Sequence, residues 1–147
     1  MKKFSFPLEK VMDYKGQVLE ALQQEHAAII QEMNQQNGKI AELQAEIDSA
    51  RREFQEKRLQ GVSVLVIQTY ESYLNSLYKK MEKEQEILQI IQRKEELKRQ
   101  QVLNSKTEVT SLEHLKDQRY RQYMQAVQKN EEQFIEEFVS HTRVSRV

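Results

Sequence analysis

Catalysis or metal binding in this chain would have to be assembled from three histidines, His26, His114 and His141, because the sequence holds no cysteine at all. None of the three has a glutamate three residues before it, so the Glu-x-x-His pairs with which helical bundles hold two irons are missing. His114 lies in LEHLKD, between Glu113 and Asp117, a setting that could move protons. Acids and bases alternating along a helix read more simply as a solvated face. His141 stands in a C-terminal tail expected to fray. Neither G-x-x-x-x-G-K-[ST] nor G-x-G-x-x-G occurs, and the three glycines are isolated, so no phosphate loop is expected. Without cysteine there is no disulfide framework, thiolate metal site or cysteine nucleophile. The reading is a protein that is not an enzyme, with no catalytic residue, no cofactor and no metal.

Composition narrows the rest. Only 38% of the 147 residues are apolar and 31% are charged, with three Gly and one Pro, which suits long helices sharing a seam better than a multilayered globule. Its 23 basic and 23 acidic residues cancel, which removes the charge excess expected of nucleic-acid binders. Glu53/Lys57 and Glu95/Arg99 have the spacing and orientation of favourable helical ion pairs. No apolar run approaches the roughly 20 residues of a membrane span, and MKKFSFPLEKVMDYK turns polar too early for a secretory signal. A cytoplasmic protein with no direct membrane insertion is expected.

A heptad places Met12, Leu19, His26, Met33, Ile40, Ile47 and Phe54 at a, and Leu8, Lys15, Leu22, Ile29, Gln36, Leu43, Ala50 and Lys57 at d. Ser5 and Pro7 suit the start of this helix. A basic last turn, Lys57-Arg58, runs into Gly61, which stops it, and Ser63 can cap the next. The second helix continues with Ile67, Leu74, Met81 and Leu88 at a, and Tyr70, Leu77 and Ile91 at d. After a polar block at 92–101, expected to be soft, the stripe resumes at Val102, Val109 and Leu112, then slips by one residue to Tyr120, Met124, Val127, Phe134 and Phe138. The β-branched run Val62–Ile67 pads the bend. The fold class is therefore all-α: a long antiparallel two-helix coiled-coil hairpin with unequal arms, one domain over 1–147. Its parts are helix 1 at about 7–59, a bend at about 60–63, helix 2 at about 64–140 and a frayed tail at 141–147.

At 1.5 Å per residue the arms would be about 80 and 115 Å long, so about 25 residues of helix 2 overhang the N-terminus. That overhang carries Arg119, Tyr120, Arg121, Tyr123, Met124, Phe134 and Phe138, an aromatic stripe that needs a partner. Folding at the bend pairs residues whose numbers sum to roughly 122. His26 then faces Glu95, Glu96 and Lys98, and Gln36 faces Glu84 and Gln85, two polar layers that would fix register. On this reading His26→Leu raises stability. Near the bend, Tyr70, Leu74 and Leu77 are seam residues, while Tyr73, with Tyr78, makes an outward aromatic shoulder suited to a partner.

The opening F-x-F-P-L-E-K-V-M-D-Y-K at Phe4–Lys15, the G-V-S bend at Gly61–Ser63 and Y-x-x-Y-L-x-x-L at Tyr70–Leu77 together resemble the flagellar export protein FliJ family. The resemblance covers essentially the whole chain. It implies a non-catalytic coiled coil of the bacterial flagellar type III export apparatus, similar to the central stalk of rotary ATPases. Such a protein would bind the hexameric export ATPase (FliI-type), promote its assembly, and link it to the export gate protein (FlhA-type) and to export chaperones. It would be cytoplasmic and peripheral at the inner membrane through that apparatus. By the stalk analogy, Phe4, Phe6, Pro7, Val11, Tyr14, Arg119, Tyr120 and Tyr123 belong to the ATPase end. Tyr70, Tyr73, Leu74 and Leu77 then belong to the end facing the gate. Three alternatives stay open: a stalk of a virulence type III secretion system, a prefoldin-like chaperone, and a generic coil that dimerises through its seam. A prefoldin-like chaperone would need strand-forming hairpins at the bend.

Overall fold

The structure, a computed structural model, describes residues 2–145, with the side chain of Ser145 left aside. It consists of two helices, α1 (Glu9–Gln60) and α2 (Val64–Ser145), and among the described residues there is no strand. They form a helical hairpin with unequal arms. α2 runs unbroken through the polar block at 92–101 and on past residue 140, so the helix extends further than its sequence suggests. The last two residues of the expected tail, 146 and 147, lie outside the described residues.

The bend is made as the residue types dictate. Gly61 has φ +78°, a left-handed conformation that costs glycine little, and its N–H donates to the Arg58 carbonyl at 3.3 Å. The Ser63 carbonyl accepts from Val66 and Ile67 at 3.1 and 3.2 Å, which makes Ser63 the cap of α2. The Val62–Ile67 run does not pad this turn as a unit. Val64 and Leu65 point into solvent, at 69% and 73% exposure, and so does Leu59 at 82%. Two helices can bury only the facing stripe of each, and these residues fall off it.

The chain packs as two compact units. One of them, Leu22–Val102, contains the bend and the main core: Leu43, Ile47 and Ala50 of α1 against Leu74, Leu77 and Met81 of α2, flanked by Ile40 and Phe54. All six core residues are heptad a or d positions, and Ile47 is the best buried at 2% exposure. Phe54 and Tyr70 stack at 5.3 Å, and the Arg58 guanidinium sits over the Phe54 ring.

Further from the bend the seam turns polar. Gln36 is buried, and its Nε2 donates to the Glu84 carbonyl at 2.9 Å and to the Glu84 carboxylate. One layer of Ile29 and Ile91 farther along, His26 Nε2 meets Glu95 Oε1 at 3.1 Å, both side chains more than four-fifths covered. Lys98–Glu25 at 2.7 Å and Lys94–Glu32 at 3.5 Å flank that contact. The sums 26 + 95 and 36 + 84 agree with the register read from the bend. Glu95 does not pair with Arg99 along its own helix; as an a residue it turns inward to the facing histidine.

The second unit joins Met1–Ala21 with Leu103–Val147. The heptad continues through Val102, Ser105, Val109 and Leu112, with Ser105 buried. Lys15 pairs with Glu108 at 2.8 Å and Lys116 grips both oxygens of Glu9. The slip expected after Leu112 is delayed. Lys116 and Tyr123 remain half-buried in the original register, whereas Met124 is exposed.

Three variants test this account. Gly61→Ala forces a Cβ into a left-handed conformation and is expected to cost about 1–2 kcal/mol in chemical denaturation. His26→Leu, favourable if the histidine stood alone, strands Glu95 in a mostly dry layer and is expected to cost about 1 kcal/mol. The double variant His26→Leu/Glu95→Leu should exceed the wild type in stability; a double variant weaker than either single one would refute the layer's assigned cost.

Candidate functional site

Two surfaces gather the side chains singled out in the sequence. In the unit that holds the bend, Leu74 and Leu77 are buried core residues, and Tyr70 is half-buried against Phe54. Tyr73 and Tyr78 are the exposed members, and the Tyr73 hydroxyl donates to Glu46 Oε1 at 3.0 Å, which fixes its ring across the edge of the seam. Leu59, Val64 and Leu65 were not anticipated there. Their exposure follows from a heptad phase that could be read, since none is an a or d position.

In the other unit the N-terminal arm explains most of the candidate residues. Residues 2–8 precede α1 and run along α2. The Phe4 ring meets Tyr120 edge-on at 5.3 Å and Tyr123 at 5.5 Å, and the Tyr123 hydroxyl donates to the Lys2 carbonyl at 2.8 Å. Phe6 is buried, and its carbonyl accepts from Glu9 N–H at 3.1 Å across a turn with Pro7 at its second position. Leu8 accepts the first α1 bond from Met12. The aromatic overhang thus begins later than its sequence suggests, because the arm covers Tyr123 and touches Tyr120. No helical period flags residues 2–8 as a packing element, so only their aromatic content hints at it.

Val11 and Tyr14 are exposed, Tyr14 strongly, on the outer side of α1. Arg119 is exposed, and Arg121 pairs with Asp117 of its own helix at 3.0 Å. His114 and His141 lie on exposed faces. Among the described residues no group of His, Cys, Asp and Glu is placed to hold a metal ion, and no helix is long and apolar enough to cross a membrane.

Three groups hold their protons more tightly than usual. Hydrogen bonding to Glu108, followed by its negative charge, raises Lys15 above its ordinary value. The hydrogen bond to Glu46, then burial, raises Tyr73. Burial, then the Glu53 carboxylate, raises Tyr70.

The profile of the family described as Flagellar FliJ protein matches residues 4–146. The chain belongs to the FliJ family. The match spans both helices, the bend and the N-terminal arm, so it covers both candidate surfaces, and it makes the protein a component related to flagellar export. It also favours the flagellar assignment over a virulence stalk. No curated protein and no solved structure matches this FliJ-family chain.

All three proton shifts have the same sign. A folded-state value raised above the unfolded one adds stability that is complete below the unfolded value and is lost as pH rises through the folded one. The expected melting temperature is therefore insensitive to these groups at neutral pH and falls above about pH 10. Tyr73→Phe should make the alkaline fall shallower, and a melting temperature that climbs in that range would contradict the assignment.

Proposed function

We propose that this FliJ-family protein is a stalk-like adaptor of the flagellar type III export apparatus. Its terminal end engages the hexameric export ATPase and promotes ring assembly and ATP hydrolysis. Its bend end meets the export gate, and export chaperones are further partners. It works without catalytic chemistry of its own, in the cytoplasm and peripherally at the inner membrane through the apparatus. The observation that carries this reading is the family match over residues 4–146 on a chain that is, in each unit, two helices side by side. Such a cross-section, about 20 Å for two helix diameters, can enter the opening of a ring where a multilayered domain cannot.

The distribution of exposed side chains supports two separate docking ends. At the terminal end, Val11, Tyr14, Arg119 and Tyr120 remain accessible, while Phe4, Phe6, Pro7 and Tyr123 shape the arm that frames them. At the bend end, Tyr73 is the accessible member, Tyr70 is partly so, and Leu74 and Leu77 hold the helices beneath them.

ATP hydrolysis by the flagellar export ATPase of the same organism, with and without this protein, tests the proposal when ring formation is followed by mass. Stimulation with hexamer formation is expected, and it should be lost on removing residues 1–15 or 116–147. Tyr14→Ala alters an exposed side chain and should weaken stimulation without loss of helicity; Tyr73→Ala should leave stimulation intact and weaken gate binding. Full stimulation by both truncated chains would overturn the assigned polarity.

A further inference from the structure

Past the N-terminal arm, α2 carries an amphipathic face that the hairpin leaves uncovered. Val127, Phe134 and Phe138 recur at helical spacing on one side, with Ile135 beside them. Phe134, Ile135 and Phe138 are 70%, 60% and 66% exposed. Val127, Phe134 and Phe138 follow the stripe of α2 after its one-residue slip, at the seven- and four-residue spacing on which a second helix packs. Glu131 lies in the same row, between Val127 and Phe134, and helps line a shallow groove with Val127, Phe134 and Ile135.

The charges select the occupant. From 124 to 144 there are four carboxylates, Glu131, Glu132, Glu136 and Glu137, against Lys129 and Arg143. Among the described residues none of these glutamates has an ion-pair partner. A helix laid on the stripe would cover Glu131, and a covered carboxylate is tolerated only beside a cation. A second copy of this chain fits badly: laid antiparallel about residues 134–136, it sets the block Glu131–Glu137 of each copy against the other. We propose that this segment docks a basic amphipathic helix of another protein, its apolar stripe on Val127, Phe134 and Phe138 and a lysine or arginine against Glu131.

The inference takes from the proposed function only that the terminal end docks a partner, and it commits to the chemistry of that partner. A test free of the ATPase uses the full chain and two fluorescently labelled synthetic helices of about three heptads, both with leucine at a and d. One carries lysine at e and g, the other glutamate. Anisotropy titrations should show the lysine helix binding about tenfold or more tightly than its glutamate twin at about 0.1 M salt, with the preference shrinking as salt rises. Phe134→Ala and Phe138→Ala, both at exposed positions, should each weaken the lysine helix several-fold. Glu131→Lys should move the preference toward the glutamate helix, with circular dichroism unchanged. Equal binding of the two helices, indifference to all three substitutions, or self-association of the chain through this stripe in sedimentation would overturn the proposal. Loss of ATPase stimulation with these results intact would overturn the stalk assignment alone.

Discussion

Two helices that face each other with apolar stripes can slide by a turn at little cost, and the structure depends on what prevents this. The buried Gln36 amide, bonded to the Glu84 carbonyl and carboxylate, is satisfied in one alignment. Moving α2 by a heptad would set Leu77 or Ile91 in place of Glu84, so the amide would lose its carboxylate partner and keep only a helix carbonyl in a dry layer. The His26–Glu95 contact repeats the device at a second height, so the alignment chosen at one layer is checked at the other. The core between the bend and Gln36 supplies the attraction, and the polar layers supply the choice.

The bend makes that choice reachable. Gly61 turns the chain within three residues, which leaves α1 and α2 no orientation but antiparallel neighbours and starts the pairing close to its final register. The terminal unit adds ion pairs across the seam, Lys15–Glu108 and Lys116–Glu9, and the arm of residues 2–8. Its apolar content is thinner, and the buried Ser105 hydroxyl has no partner there. The unit near the bend is firmly cored, and the terminal unit is more polar and presents arginines, tyrosines and the phenylalanine stripe.

Much of this was legible in the sequence because a heptad is a local rule. Positions from Met12 to Phe54 and from Ile67 to Leu112 face the seam as their spacing requires, and residue sums near the bend forecast His26 against Glu95 and Gln36 against Glu84. The exceptions arise where no period operates. Residues 2–8 are not helical, and their return along α2 rests on Phe4, Phe6 and a backbone carbonyl at Lys2, none of which has a repeat to reveal it. That return also explains why Tyr123 keeps the old register at the point where the apolar pattern alone slips. Leu74 and Leu77, read together with Tyr70 and Tyr73 as a partner surface, show the opposite lesson: a motif can bear a family's signature and still be needed to hold the helices together.

The three-residue bend also imposes a sequence of events. Contacts near it join residues close in the chain, as Tyr73 and Glu46 are, 27 apart, whereas Tyr123 and Lys2 are separated by 121. Closing a loop grows costlier with its length, so the hairpin assembles like a zipper, from the turn toward the free ends. Opening follows the reverse path, because the pairs made last are the first that a fluctuation releases. The arm and the Tyr120–Tyr123 edge are therefore expected to open more readily than the Leu43–Met81 core.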